Sequence, residues 1–104
     1  MRYRRRTIYF PVTDNDGNSL DAENAQVRTE LAQIAPGWTE DDTPKNGVWY
    51  DGDGTRYEDK VREVAVTSPS EVDGRIKAKL PEWRDLLRQQ ALYSDAHDVD
   101  FDIV

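Results

Sequence analysis

The chain has 104 residues, of which 37% are hydrophobic and 34% charged, and its 21 acidic against 14 basic side chains give a formal net charge of −7. That length suits one domain with one modest core, and the acid excess argues against gripping a nucleic-acid backbone or an anionic membrane, since both need a basic surface. Cysteine is absent, which excludes disulfides, thiolate–metal sites and thiol nucleophiles.

Met1-Arg2-Tyr3-Arg4-Arg5-Arg6 is basic, but the stretch after it, residues 7–13, is too short and polar for a signal-peptide core. No run approaches the ~20 apolar residues of a membrane span. A cytoplasmic protein, with one domain over residues 1–104, is the expectation. Thr7 to Val12 reads as a strand, with Ile8, Phe10 and Val12 on one face and Thr7 and Tyr9 on the other. Asp14 to Asn18 is turn chemistry. Ser19 or Asp21 can cap a following helix, in which Leu20, Val27, Leu31 and Ile34 recur at helical spacing until Pro36-Gly37.

Residues 39–46 read as a polar loop and Gly47 to Tyr50 as a short strand. Asp51-Gly52-Asp53-Gly54 is a tight-turn signal, and a second strand follows between Thr55 and Thr67, which completes a β-hairpin. Ser68-Pro69-Ser70-Glu71 has the form of a capping box. Ser68 would be the N-cap, Pro69 the first helical residue and Glu71 the reciprocal partner. Val72, Ile76, Leu80, Trp83 and Leu87 then share one helical stripe. Pro81 interrupts it and predicts a kink or two abutting helices. Val99, Phe101 and Ile103 alternate with Asp98, Asp100 and Asp102, the pattern of a half-buried last strand. The order β-α-β-β-α-β predicts an α+β fold of ferredoxin-like type: a four-stranded antiparallel sheet with two helices on one face.

Pro36-Gly37-Trp38-Thr39, Gly47-Val48-Trp49, Gly54 with Tyr57 and Asp59, and Gln89-Gln90-Ala91-Leu92-Tyr93 follow one another along most of the chain. In this order they resemble a family of small, uncharacterised bacterial and phage-borne proteins. The resemblance differs at Gly37-Trp38, where the family pattern has two glycines before the threonine. It implies the same ferredoxin-like fold and supplies no catalytic residues.

Asp14-x-Asp16-x-Asn18 and Asp51-x-Asp53-x-Thr55 offer alternating oxygen ligands. An EF-hand loop needs Gly at its sixth position and Glu at its twelfth, and these loops carry Ser19 with Ala25 and Arg56 with Arg62 there. No metal and no cofactor are therefore expected. His97, the one histidine, has no identifiable nucleophile to activate and reads as a solvated loop residue. Glu58 and Asp59 beside Tyr57 form a carboxylate pair worth inspecting for acid–base work. Tyr9, with Arg5 on the same strand face and Asp100 and Asp102 on the last strand, would decorate an open sheet face. Trp49 and Tyr57 belong to the hairpin.

An aromatic beside an arginine is a favoured interface composition. The leading expectation is thus a non-enzymatic protein-interaction domain with Arg5, Tyr9, Trp49, Tyr57, Asp100 and Asp102 as interaction candidates. Its partner would be another protein or a second copy, a homodimer, with neither nucleic acid nor membrane contacted directly. Two alternatives stand beside it: an acidic inhibitor that mimics nucleic acid, and a small-molecule binder or small enzyme that uses the hairpin aromatics.

Overall fold

A computed structural model describes residues 2–104. The elements are β1 (Tyr3–Pro11), α1 (Asp21–Ile34), β2 (Thr39–Glu40), β3 (Lys45–Tyr50), β4 (Arg56–Pro69), α2 (Ser70–Leu86) and β5 (Tyr93–Val99). The fold is α+β, with two helices against one antiparallel sheet. β1 is central, flanked by β4 and β5, while β2 and β3 both pair with β4. The sheet has five strands where four were expected. The segment between Thr39 and Tyr50 pairs twice, separated by Asp41-Asp42-Thr43-Pro44. These four residues stand against only Arg62 and Glu63 of β4, so the ladder is interrupted after Glu40 and resumes at Lys45, past Pro44, which has no amide hydrogen to donate.

Strand alternation assigns the two faces. Ile8 and Phe10 of β1 and Val64 and Val66 of β4 point to the helices. They pack with Val27 and Leu31 of α1 and with Ile76, Trp83 and Leu87 around α2. Phe10 meets the Trp83 ring edge-on, with centroids 6.1 Å apart. α2 is a single helix that contains Pro81. No helix among the described residues is long and apolar enough to cross a membrane.

Beneath β1 lies an ion pair that periodicity alone does not reveal. Arg6 and Asp73 are only 6% and 4% exposed. The Arg6 Nε and Nη2 donate to the two carboxylate oxygens of Asp73 at 2.8 and 3.1 Å, and Nη1 donates to Ser94 Oγ at 2.9 Å. Arg4 lies 3.3 Å from Asp73 and donates to Asp98 at 2.9 Å, and Arg2 is 3.3 Å from Asp98. The basic N-terminal run is therefore strand, with its inward arginines tying α2 and β5 to β1.

Two expectations are corrected by this arrangement. The last strand is Tyr93–Val99 rather than the alternating stretch through Ile103, so Asp100 and Asp102 lie beyond it in an exposed tail and do not pair with Arg5. The helix side of β5 faces arginine rather than aliphatic chains, so Ser94 and Ala96 stand where hydrophobic residues would have marked a strand. The capping box is also absent. β1 extends back to Tyr3 and pairs with β4 as far as Pro69, which holds Ser68 in the ladder opposite Arg4. The helix begins at Ser70 without a side-chain cap, and the Ser68 hydroxyl is buried without a hydrogen-bond partner.

Removing the Asp73 carboxylate leaves a buried guanidinium with half its partners. Asp73→Ala should cost about 3–5 kcal/mol in urea denaturation. Ser68→Ala removes an unpaired hydroxyl and should change stability by less than about 0.5 kcal/mol. A loss near 1 kcal/mol for Ser68→Ala would restore the hydroxyl as a cap.

Candidate functional site on the open sheet face

The residues that alternate with the core set form the other face of the sheet, which no helix covers. Tyr3, Arg5, Thr7 and Tyr9 of β1 lie between Glu63, Ala65 and Thr67 of β4 and Tyr93, Asp95 and His97 of β5. Lys45, Gly47 and Trp49 of β3 continue the face beyond β4, alongside Tyr57 and Asp59. Of the sequence candidates, Arg5, Tyr9, Trp49 and Tyr57 share this face, while Asp100 and Asp102 do not belong to the sheet.

At the hairpin end the aromatics form a fixed cluster. Trp49 stacks on Tyr93 with centroids 4.2 Å apart and planes inclined by 13°, and Tyr9 meets Trp49 edge-on at 6.3 Å. The indole lies over Gly47, where an added Cβ would sit 2.7 Å from the ring. That close approach is why glycine occupies this strand position. The Trp49 Nε1 donates to Asp59 at 3.1 Å, and the Tyr9 hydroxyl donates to Asp95 at 2.8 Å. Asp59 thus serves as an indole anchor. Its neighbour Glu58 points to the opposite face and pairs with Arg56, so the expected carboxylate pair is split by strand alternation.

The hydrogen bond to Asp95, reinforced by partial burial, raises the Tyr9 pKa above its ordinary value of 10.0, and the bond to Asp51 raises that of Tyr57. Asp51 is held below the carboxylate range chiefly by the Thr55 amide, in a turn closed by Gly54 at φ +80°. Asp14 receives the amides of Asp16 and Asn18 in the same manner. Both Asp-rich loops spend their leading carboxylate on backbone donors. No group of three or more His, Asp or Glu placed to hold a metal ion occurs among the described residues.

The other end of the face is a groove of about 530 Å³. Tyr3, Arg5, Trp38, Thr67, Phe101 and Ile103 line it. Phe101 packs on the Tyr3 ring at 5.2 Å, so the chain after β5 forms one wall. Trp38 rests against the core and lines the groove as well. A hollow of about 280 Å³ adjoins the groove, sharing Arg5, Thr39 and Ala65 and adding Glu40, Asp41 and Glu63. Lys45 bridges Asp41 and Glu63 at 2.9 and 3.2 Å, which raises its pKa. The result is a trough with an aromatic end and an acidic end. Ligand pockets typically span ~300–1,000 Å³, a range that includes the groove. The space beside Trp49 and Tyr57, about 50 Å³, and a cavity of about 120 Å³ beneath α1 are below it.

Sequence reasoning placed Arg5 on this face but missed the groove. Tyr3 fell outside the predicted strand, and Phe101 and Ile103 read as core. Extending the β1 alternation back to Tyr3 was the available signal.

No protein-family model matches the chain, and no curated protein matches it by sequence. Among solved structures it is similar to a phage SAM lyase in complex with S-methyl-5'-thioadenosine. The two share 13% identity at a TM-score of 0.63, over 94% of this chain and 88% of that one. The likeness is one of fold.

Alkaline titration followed at 295 nm should show two tyrosines that ionise late. The protonated phenols of Tyr9 and Tyr57 donate to carboxylates, so their contribution to stability holds below pH 10.0 and fades as pH rises through the raised values. Tyr9→Phe should remove one of the two late transitions. Two late transitions surviving in that variant would contradict the Tyr9–Asp95 bond.

Proposed function

We propose that the trough on the open sheet face binds a small molecule of the S-adenosyl class, either the sulfonium or the thioether derived from it. The observation that carries this reading is the groove itself. It offers Tyr3, Trp38 and Phe101 for stacking on a flat heteroaromatic base, and their ring faces suit a sulfonium cation. The full-length fold likeness to a lyase bound to S-methyl-5'-thioadenosine is what selects adenosine among flat ligands. In architecture, we take β2 and β3 as one interrupted edge strand of a ferredoxin-like sheet, since both lie along the same edge of β4.

The chemistry is compatible with the residues present. A sulfonium carries its own leaving group, and the amino-acid part of such a substrate carries its own nucleophile. A carboxylate oxygen attacks the γ-carbon, a lactone C–O bond forms as the C–S bond breaks, and the electron pair departs with sulfur as the neutral thioether. A protein that cleaves it has mainly to hold and orient the substrate and to exclude water. The absence of an evident nucleophile–base constellation, which led the sequence reading away from catalysis, does not weigh against a reaction of this kind.

Self-association through the same face is the second reading. Phe101 is 41% exposed, Ile103 85% and Tyr93 40%, which leaves apolar area beside Arg5 and Tyr9. A homodimer seated there would cover the groove. The nucleic-acid-mimic reading is weaker, because Asp14, Glu23, Glu30, Glu40, Asp73 and Asp98 are each spent on an arginine or lysine rather than arrayed on one face.

Titration with S-methyl-5'-thioadenosine should give saturable quenching of tryptophan fluorescence, and Trp38→Phe should remove most of the change. Incubation with SAM and chromatography would then show whether the thioether is released. No heat and no quenching with either compound at millimolar concentration would overturn the binding reading. Light scattering that shows a dimer which Ile103→Asp dissolves would favour self-association instead.

A further inference from the structure

Arg2, Arg4 and Arg6 are all held by Asp98 or Asp73. Arg5 sits among them but points to the other face. It is exposed, opposite Thr67 and His97 in the ladder. Among the described residues its guanidinium makes no ion pair and no side-chain hydrogen bond. The acids nearest along the strands are already engaged: Asp95 receives the Tyr9 hydroxyl and Glu63 is paired with Lys45. Arg5 is also the charged residue common to the aromatic groove and the acidic hollow and, among the described residues, the one charged side chain that lines the groove. The fold makes no use of its donors, although it lies where the two halves of a ligand would meet.

An uncommitted guanidinium presents a planar fork of donors that matches a carboxylate bidentately. Resting on the S-adenosyl reading of the trough, we propose that Arg5 recognises the carboxylate at the amino-acid end of the ligand. It would make the site selective for an adenosyl amino acid over the bare methylthio nucleoside. The base then occupies the aromatic end near Trp38. The carboxylate meets Arg5, where the groove joins the hollow. Arg5 acts here as a specificity residue for binding.

The test compares two stable probes on the full chain. S-methyl-5'-thioadenosine lacks a carboxylate. S-adenosylhomocysteine carries one on an uncharged thioether. Calorimetry on wild type, Arg5→Gln and Arg5→Lys gives the ratio of their affinities. Losing a charge-assisted hydrogen bond should lower that ratio by about tenfold in Arg5→Gln. Arg5→Lys should recover part of it, with far-ultraviolet circular dichroism unchanged in both variants. An unchanged ratio in Arg5→Gln overturns the assignment of Arg5, even where both probes still bind. Failure of both probes to bind wild type overturns the S-adenosyl reading instead, so the two failures are distinguishable.

Discussion

Arg6 lies under the sheet with its guanidinium forked onto both oxygens of Asp73, and the orientation of β1 follows from that contact. A strand residue turned inward fixes its neighbours outward. With Arg6 held beneath the sheet, Ile8 and Phe10 enter the core, and Tyr3, Arg5, Thr7 and Tyr9 face out. A slip of one residue would bury Arg5 and Tyr9 and expose Ile8. A buried ion pair adds little net stability over an apolar pair, but breaking it is costly. Its effect here is on register and on the seating of α2, since Asp73 belongs to the first turns of that helix. Arg4 and Asp98 extend the same restraint to the edge strand β5. The groove therefore depends on a contact on the far side of the sheet.

Elements with a clean hydrophobic period were legible in the sequence. The stripe of Val27 and Leu31, that of Ile76, Trp83 and Leu87, and the Asp51–Gly54 turn all emerge close to where the pattern put them. The failures share a physical cause. β5 packs Ser94 and Ala96 against buried arginine, so its inward face carries no apolar signature, whereas Phe101 and Ile103 alternate outside the sheet. Ser68-Pro69-Ser70-Glu71 satisfies a local capping rule, yet pairing with Arg4 keeps Ser68 extended. Tertiary pairing prevailed over local preference in both places. The site was half legible for the same reason. Period-two alternation places Arg5 and Tyr9 on one face, while the walls made by Trp38, Phe101 and Ile103 arise from chain paths that no local pattern records.

The face that results divides its polar and aromatic residues by role. At the hairpin end, Tyr9, Trp49 and Tyr57 are bonded to Asp95, Asp59 and Asp51, which leaves a rigid aromatic block with its donors satisfied. At the other end, Tyr3, Trp38 and Phe101 stand around the groove of about 530 Å³. Between them, Thr7 and Ala65 keep the floor low. Acid predominates over the whole chain, and Arg5, without an ion pair among the described residues, puts a positive charge at the junction of groove and hollow.

Amide chemical shifts of the labelled chain during titration with S-methyl-5'-thioadenosine test the proposed binding site most directly. Saturable shifts should concentrate at residues 3–7, 36–39, 65–69 and 101–103, the backbone around the groove, with the hairpin turn near Asp51 unmoved. Shifts confined to the hairpin aromatics, to the helices, or to no residue at all would contradict a binding site on this part of the sheet.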